Sequence, residues 1–429
     1  MYSRGFEALF NKSTDPTNNT KINIDIIVIL ERDFSDQFQF LRKSYYLKSS
    51  LFELYRKLGV FMKFICLRNT LIDAITNVSK AVSDRTNIPS LEGIRFRLED
   101  SVLELTGYDL ELGIRTSIAV RSEDNGDFVA NAKLLLDIVR RMEEDDILIE
   151  VLDNMQINIS SGKAHTSIFG TSASDFPELP AKDDETALVL SQPVLKDMII
   201  QTRFAVAKTD IKPILKGELF NIENGVLDLV AIDGYRLAIR YEAVKCTENM
   251  KFVVPSKTLN DIVSILDDNE DDNVSIYLSK KHIIFEINGY MVYSRLLEGE
   301  FHPYKSSLPK THNTEVIVDR KELINILERS MILINERTPS PIRCYFENNM
   351  LRINCSTAVG KHSDEMEVDL SGEKIEIGFK CQYLLDPLKV IKEDKVKLQM
   401  GGSLLPMKII PVEGESYTFL VLPVRLPKE

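Results

Sequence analysis

From residue 62 to the end of the chain, apolar residues follow two alternating patterns, one with the period of a helix and one with the period of a strand. Six segments carry apolar residues at positions i, i+3, i+4 and i+7, which predicts amphipathic helices with one buried stripe each. Successive stripes begin about sixty residues apart, so pairs of them repeat at roughly 125 residues, the size of a domain. Their apolar positions are Leu71, Ile72, Ile75, Val78 and Val82; Leu134, Leu135, Ile138, Val139 and Met142; Leu195, Met198, Ile199, Thr202 and Val206; Leu259, Ile262, Val263 and Leu266; Leu323, Ile326, Leu327 and Met331; and Leu384, Leu385, Leu388 and Ile391.

The segments between these helices alternate apolar and polar residues with a period of two, as residues 273–278 and 395–400 do, which predicts strands. We therefore expect an α+β fold of three tandem domains at residues 62–183, 184–310 and 311–429, each with two helices against antiparallel sheet. The proline-containing segments 176–180 and 301–309 are the expected linkers. Pro387 lies inside the sixth helical pattern, so that helix either begins near Pro387 or bends there.

Near the middle of the chain, residues 230–239 contain an apolar run, a polar turn at Asp233 and Gly234, and a second alternating apolar run. A degenerate copy of this stretch lies at residues 105–114. Both stretches predict β-hairpins. The sequence favours an Asp-Gly turn, with Arg236 paired to a nearby carboxylate, over a catalytic loop of Asp233, Tyr235 and Arg236.

Residues 1–61 differ from the rest, because they begin with a polar, turn-rich stretch and contain nothing that recurs later. We expect this segment to be an N-terminal extension outside the repeat. It is either disordered or an artefact of start-site assignment, with translation beginning at Met62.

Composition places the chain among globular proteins, with 44% hydrophobic and 28% charged residues over 429 positions. No apolar run approaches the ~20 residues that span a bilayer, and the start lacks the pattern of a signal peptide. The cysteines are scattered without CxxC spacing, which favours reduced thiols and a cytoplasmic protein. They are Cys66, Cys246, Cys344, Cys355 and Cys381.

Motifs that carry catalysis are missing from the sequence. There is no GxGxxG after a strand, no GxxxxGK[ST], no GxSxG and no HExxH, and the five histidines show no paired spacing. We therefore expect no catalytic residues, no metal and no cofactor.

Basic residues recur on the predicted helices although the formal net charge is −12. Lys196 and Arg203 are seven residues apart on the third helix, with Lys208 and Lys212 beyond it, and Lys133 has the same spacing to Arg140 on the second. Solvent-exposed helix faces are usually charged, which would explain the basic residues on any one helix. If the helices gather on one side, however, they form a cationic surface suited to phosphate contact without base reading.

Several stretches, in order and over all three predicted domains, resemble the bacterial sliding clamp family, the β subunit of DNA polymerase III. They are Met62-Lys63-Phe64, residues 87–93, residues 105–111, Asp175-Phe176-Pro177, residues 231–238, Val254-Pro255, Leu308-Pro309 and residues 422–426. The resemblance implies the DNA clamp fold, in which two crescents close head to tail into a homodimeric ring with helices lining the hole.

The function implied by the resemblance is that of a non-catalytic processivity factor in DNA replication. Such a ring encircles duplex DNA without sequence preference, is opened by a clamp loader and tethers the replicative polymerase and other replication and repair proteins, in the cytoplasm at the nucleoid. The family's DNA-contacting positions correspond to Arg85, Lys133 and Lys212, to which the helix pattern adds Lys196, Arg203 and Lys208.

The resemblance also implies a hydrophobic pocket for short partner peptides between the second and third domains. Its residues here are Leu215, Ile232, Gly234, Tyr235, Arg236, Leu237, Leu404, Pro406, Leu420, Val421, Leu422, Pro423, Val424 and Arg425, with Arg236 and Arg425 expected as a polar rim. The chain departs from the family pattern at His302-Pro303, where Pro-Asp is usual, and in the tail Pro427-Lys428-Glu429.

Two other classes of function remain open from the sequence. A repeat-built scaffold that binds proteins without touching DNA would explain the repeats but leave the basic helix faces as coincidence. Salt-dependent DNA binding would separate a sliding clamp from such a scaffold. The second class is an enzyme with a degenerate site, which would show turnover.

Overall fold

The computed structural model describes residues 59–83, 86–122, 124–182, 188–209, 212–246, 248–334 and 339–426. Most of the predicted N-terminal extension, residues 1–61, therefore lies outside the described residues, and so do Arg85 and the tail 427–429. In the part that is described, six α-helices and 25 β-strands form three copies of one architecture.

In the first copy, each helix follows a strand directly; four strands follow the first helix and three follow the second. Its elements are β1 (Val60–Leu67), α1 (Arg68–Val78), β2 (Ile94–Glu99), β3 (Val102–Tyr108), β4 (Leu112–Ala119), β5 (Gly126–Ala130), α2 (Ala132–Arg140), β6 (Asp146–Leu152), β7 (Gln156–Ser161) and β8 (Ala164–Phe169).

The second copy has the same order of elements as the first. They are β9 (Leu188–Ser191), α3 (Gln192–Thr202), β10 (Gly217–Glu223), β11 (Val226–Ile232), β12 (Arg236–Ala243), β13 (Met250–Pro255), α4 (Ser256–Val263), β14 (Asn273–Leu278), β15 (His282–Ile287) and β16 (Tyr290–Arg295).

The third copy adds one short strand, β21, to this order. Its elements are β17 (Thr314–Asp319), α5 (Arg320–Met331), β18 (Ile342–Glu347), β19 (Met350–Thr357), β20 (Gly360–Glu367), β21 (Asp369–Gly372), β22 (Ile375–Phe379), α6 (Cys381–Val390), β23 (Lys395–Met400), β24 (Met407–Pro411) and β25 (Tyr417–Val421).

Two of the four sheets cross from one copy to the next. The strand orders are β1-β6-β7-β8, β5-β2-β3-β4-β16-β15-β14-β9, β13-β10-β11-β12-β25-β24-β23-β17-β21 and β20-β19-β18-β22. We call the antiparallel pairing of β4 with β16 the first junction and that of β12 with β25 the second junction. The two small sheets leave β8 and β20 at an edge.

The copies keep a constant period at their corresponding strands. β4, β12 and β20 start at residues 112, 236 and 360, so each starts 124 residues after the one before. This period agrees with the one that the helical stripes predict, and it lets positions in one copy be assigned to positions in the next.

The predicted helical stripes form the core between helices and sheets. Leu195, Met198 and Ile199 of α3 are fully buried, and the helices of each copy contact one another in pairs, α1 with α2, α3 with α4 and α5 with α6. The prediction is wrong at Leu134, which is 47% exposed. The buried face of α2 runs through Ala132, Leu135 and Val139, so Leu134 points away from it.

Pro387 lies within α6, whose bounds are Cys381–Val390, so the alternative that the helix begins at Pro387 is wrong. Proline has no N–H to donate to the carbonyl four residues earlier, which costs ~3 kcal/mol in a helix interior. Pro387 is buried, and the packing of its ring against the core offsets part of that cost.

None of the described helices is both long enough and apolar enough to cross a bilayer.

Candidate functional site

The predicted hairpin at residues 230–239 is formed by β11 and β12, and its turn is organised by one carboxylate. Asp233 Oδ1 accepts hydrogen bonds from the backbone amides of Tyr235 at 2.9 Å and Arg236 at 3.0 Å. Gly234 adopts a φ of 91°, a conformation that favours glycine. The upstream copy uses Asp109 in the same way, so both hairpins predicted from the sequence are present.

A cavity of about 520 Å³ opens between this turn and β25, and we call it the candidate pocket. Eight of the residues predicted for the peptide site line it: Leu215, Ile232, Gly234, Arg236, Leu237, Pro406, Leu420 and Leu422. Most of these side chains are aliphatic, and a mostly apolar cleft with a few polar groups is the usual form of a ligand site.

One wall of the candidate pocket comes from the linker after the second copy and was missed from the sequence. Its residues are Glu300, Phe301, His302, Pro303 and Ser307, and Lys212 and Ile214 complete the lining. The sequence signal that could have found this wall was the departure from the family pattern at His302-Pro303, since both residues lie in it.

The linker wall is held in place by Tyr304, which is 4% exposed. Its hydroxyl donates a hydrogen bond to Asp228 Oδ2 at 2.5 Å, and Asn221 Nδ2 donates to the same hydroxyl at 3.2 Å. Burial, together with the hydrogen bond to Asp228, raises the pKa of Tyr304 above its usual range, so the phenol stays protonated as a donor.

The other predicted pocket residues lie elsewhere. Leu404, Val424 and Arg425 line an adjacent surface groove of about 790 Å³ with Arg343 and Tyr345 of β18. Neither lining includes Tyr235, which is 61% exposed, or Pro423. Val421 is fully buried in the core, so its side chain does not reach the candidate pocket.

Arg236 lines the candidate pocket, but it is not an exposed polar rim. Its side chain is 6% exposed and forms ion pairs with Asp233 at 3.0 Å and with Asp386 of α6. The expectation that Arg236 pairs with a nearby carboxylate is confirmed, and its predicted exposure is wrong. The guanidinium belongs to the wall of the pocket rather than to its mouth.

The predicted DNA-contacting residues fall into two groups. Lys133, Lys208 and Lys212 are exposed, and none of them lies within ion-pair distance of an acidic side chain in the described parts of the chain. Lys196 is instead bound to Asp268 at 2.7 Å, and Arg203 donates to Asn260 at 3.1 Å. Arg85 lies outside the described residues.

Many other helix cations are neutralised within the chain. Arg329 pairs with Asp364 at 2.6 Å and Lys389 with Glu328 at 2.7 Å, and Lys392, two residues after α6, pairs with Asp197. The cationic character of the helix faces is therefore concentrated in fewer residues than their sequence suggests.

Cys66 and Cys381 are free cysteines with buried side chains. Burial raises the pKa of Cys66 and of Cys381 to about 12, which keeps both thiols protonated and unreactive. Among the described residues, no group of three or more His, Cys, Asp or Glu side chains could hold a metal ion.

Comparisons with known proteins extend over all three copies. The family model of the DNA polymerase III beta subunit, N-terminal domain, matches residues 62–180; that of the central domain matches residues 189–303, and that of the C-terminal domain matches residues 305–425. The beta sliding clamp of Halalkalibacterium halodurans is 31% identical over 379 residues, which cover 85% of this chain and all of the relative.

Solved structures agree with this match. A putative DNA polymerase III beta subunit from Eubacterium rectale has a TM-score of 0.81 at 35% identity, covering 85% of this chain and 99% of that one. The sliding clamp from Bacillus subtilis has a TM-score of 0.83 at 30% identity, covering 86% of this chain and all of that one. The chain therefore belongs to the family of the beta sliding clamp, the DNA polymerase III beta subunit, a non-catalytic subunit that serves as processivity factor in DNA replication.

Proposed function

We propose that two copies of this chain associate head to tail into a ring that encircles duplex DNA and binds its protein partners through the candidate pocket. The observation that carries the proposal is the position of the two edge strands. β8 is the counterpart of β16, and β20 is the counterpart of β4 and β12, yet β8 and β20 have no partner strand on their outer sides among the described residues.

Exposed strand edges favour association, because each presents unpaired N–H and C=O groups. Within the chain, the first junction pairs β4 with β16 and the second pairs β12 with β25. In each junction a counterpart of β20 pairs with a counterpart of β8. The same pairing between two protomers would join β20 of one to β8 of the other. Because two different edges meet, the contact is head to tail, and two such contacts close a ring of two chains.

Exposed apolar side chains flank both edges. Phe169 ends β8 and is 73% exposed, and Val359 directly precedes β20 and is 67% exposed. Ile332, which follows the helix α5 that contacts β20, is 77% exposed. Large apolar groups with this exposure are stabilised when a partner covers them, at roughly 25 cal/mol for each Å² removed from water. The dimer contact thus combines strand pairing with apolar burial.

DNA binding follows from the free cations together with the closed ring. Lys133, Lys208 and Lys212 offer point charges to phosphate oxygens, and phosphate contacts carry no sequence information. The domain division at 62–183, 184–310 and 311–429 is part of the same proposal, as is a place of action at the nucleoid in the bacterial cytoplasm.

The candidate pocket supplies the attachment point for the replicative polymerase, the clamp loader and other replication and repair proteins. Its cavity of about 520 Å³ suits a few apolar side chains of an extended peptide. We expect peptides that contain Gln followed by Leu and Phe to bind at micromolar concentration, about −8 kcal/mol.

Retention on circular DNA tests the proposal most directly. The purified chain is loaded onto nicked circular duplex with a clamp loader and ATP, and the DNA is then cut once with a restriction enzyme. A ring remains on the circle and leaves the linear product through its free ends. Light scattering should give about twice the 48.9 kDa of one chain in the same buffer.

The alternative, a protein-binding scaffold without DNA contact, makes the opposite prediction. Such a scaffold would bind the peptide but would not be retained on circular DNA at any salt concentration. A mass of one chain at micromolar concentration, or a footprint at one preferred sequence, would overturn the ring.

A further inference from the structure

Arg236 brings a buried positive charge to the wall of the candidate pocket. It is the first residue of β12 and lies opposite Val421 of β25, so it sits at the second junction. Its side chain is 6% exposed. A charge with so little access to water is strongly unfavourable unless other groups replace the water.

Two carboxylates and two aromatic rings replace that water. Arg236 Nε donates to Asp233 Oδ2 at 3.0 Å, and Nη1 donates to Asp386 Oδ2. The guanidinium carbon lies 4.7 Å from the ring centroid of Tyr383 and 5.4 Å from that of Phe204. Asp386 and Tyr383 belong to α6 of the third copy, so half of the environment of Arg236 is supplied across the second junction.

The corresponding positions of the other copies lack this ion pair. Asp137, Asp261 and Asp386 are each the sixth residue of α2, α4 and α6, but the positions that correspond to Arg236 are Leu112 and Gly360. At the first junction, where Leu112 takes the place of the arginine, Asp261 Oδ2 is buried and has no hydrogen-bond partner among the described residues. The fold therefore forms without the pair, and the pair occurs at the junction that holds the candidate pocket.

Arg236 is connected to the pocket through its backbone as well. Its amide donates to Asp233 Oδ1 at 3.0 Å and its carbonyl accepts from the amide of Asp233 at 3.3 Å. In the same turn, the carbonyl of Tyr235 accepts from the amide of Leu422 at 2.9 Å. A shift of the guanidinium would therefore move the turn and, with it, both sides of the cavity.

We propose that Asp386 is a positioning residue for peptide binding: without lining the pocket itself, it holds Arg236 and the turn 233–237 in the binding geometry from the neighbouring copy. The inference rests on the proposed peptide site. The structural support is that Asp386 is absent from the lining of the cavity while Arg236 is part of it.

The test compares Asp386→Asn with the unchanged protein, using a fluorescein-labelled peptide that contains Gln followed by Leu and Phe. Asparagine keeps the shape of the side chain and removes the charge, so we expect the dissociation constant to rise about tenfold. Asp386→Glu, which keeps the charge, should recover part of the affinity. Asp137→Asn, at the corresponding helix position of the first copy, is the matched control and should bind as the unchanged protein does.

A double-mutant cycle with Arg236→Lys separates positioning from general destabilisation. If Asp386 acts through Arg236, the two losses of affinity are not additive, because the second change removes an interaction that is already broken. Thermal unfolding and light scattering on each variant show whether the fold and the dimer persist. Additive losses, or Asp386→Asn binding as tightly as the unchanged protein, would overturn the inference.

The outcome also separates this inference from the proposed function. If the unchanged protein does not bind the peptide, or if Leu422→Asp binds as well as it does, the peptide site itself is wrong. If the unchanged protein binds and Leu422→Asp does not, while Asp386→Asn binds normally, the peptide site stands and the role of Asp386 fails.

Discussion

Leu179 occupies the space next to Gly113 that a side chain at this position would need, since a β-carbon built on Gly113 would overlap Leu179 Cδ2. Gly113 is the second residue of β4 and corresponds to Leu237, the second residue of β12. Leu179 also packs against Tyr293 of β16. At the first junction, the linker 176–180 thus fills the space that corresponds to the candidate pocket at the second junction.

Each chain should therefore bind one peptide rather than two. Isothermal titration calorimetry with the peptide described above should give a stoichiometry of one per chain. Leu422→Asp should abolish binding, because it puts a charge into the apolar lining. Leu110→Asp should not, since Leu110 is 46% exposed in the turn of the first junction. A stoichiometry of two would contradict the closure by Leu179.

The dimer contact should have a defined strand register. β4 and β20 start 248 residues apart, at 112 and 360, and β8 and β16 start 126 residues apart, at 164 and 290. Because Arg115 lies opposite Met291 at the first junction, Ser363 of one protomer should lie opposite His165 of the other.

Cysteine cross-linking checks this register. The variant with Ser363→Cys and His165→Cys should form a disulfide-linked dimer on oxidation, since directly opposite β-carbons are about 5 Å apart. The variant with Ser363→Cys and Ser167→Cys, two residues out of register, should cross-link much less. Equal cross-linking of both variants, or none in either, would argue against the pairing of β20 with β8.

DNA binding should depend on the free lysines and not on the paired ones. Replacing Lys133 and Lys208 by alanine should lower the affinity equally for unrelated duplex sequences. It should also reduce the slope of log K against log salt by about 0.9 for each lost phosphate contact. Lys321→Ala is the matched control, because Lys321 is exposed on a helix but already pairs with Asp394 at 2.9 Å. Fluorescence anisotropy at several salt concentrations measures both quantities.

Glu218 should make the stability depend on pH. Burial raises the pKa of its carboxyl to about 8, although the hydroxyl of Thr202 donates a hydrogen bond to Glu218 Oε2 at 2.5 Å, which favours the charged form. Between the usual pKa of 4.5 and about 8, the folded state holds a proton that the unfolded state has lost. The contribution of Glu218 is therefore largest below pH 4.5 and decreases as the pH rises to about 8.

The variant Glu218→Gln tests this sign. Its side-chain carbonyl can accept the hydrogen bond from Thr202 Oγ1, and its amide does not titrate, so it should raise the melting temperature more at pH 9 than at pH 5. Differential scanning calorimetry on both proteins gives the comparison, and Glu242→Gln on the partly exposed end of β12 serves as the control. A larger gain at pH 5 than at pH 9 would reverse the assignment.

The amino-acid sequence by itself determines the elements and their repetition. Helical stripes and alternating strands are set by neighbours within about seven positions, and the Asp-Gly turn at Asp233 is set within three, so their patterns can be recognised without the fold. The resemblance to the sliding clamp family extended the prediction to the residues of the peptide site, and eight of them line the candidate pocket.

The tertiary structure decided which of these residues are exposed and which are buried or paired with another side chain. Asp386 is 150 residues from Arg236, and Tyr304 is 76 residues from Asp228, so the burial of Arg236 and the path of the linker wall depend on contacts that no local pattern records. Lys196 likewise belongs to a basic helix face by spacing, yet Asp268, 72 residues away, neutralises it. Local patterns determine what a segment becomes, whereas exposure and pairing are settled when distant segments pack together.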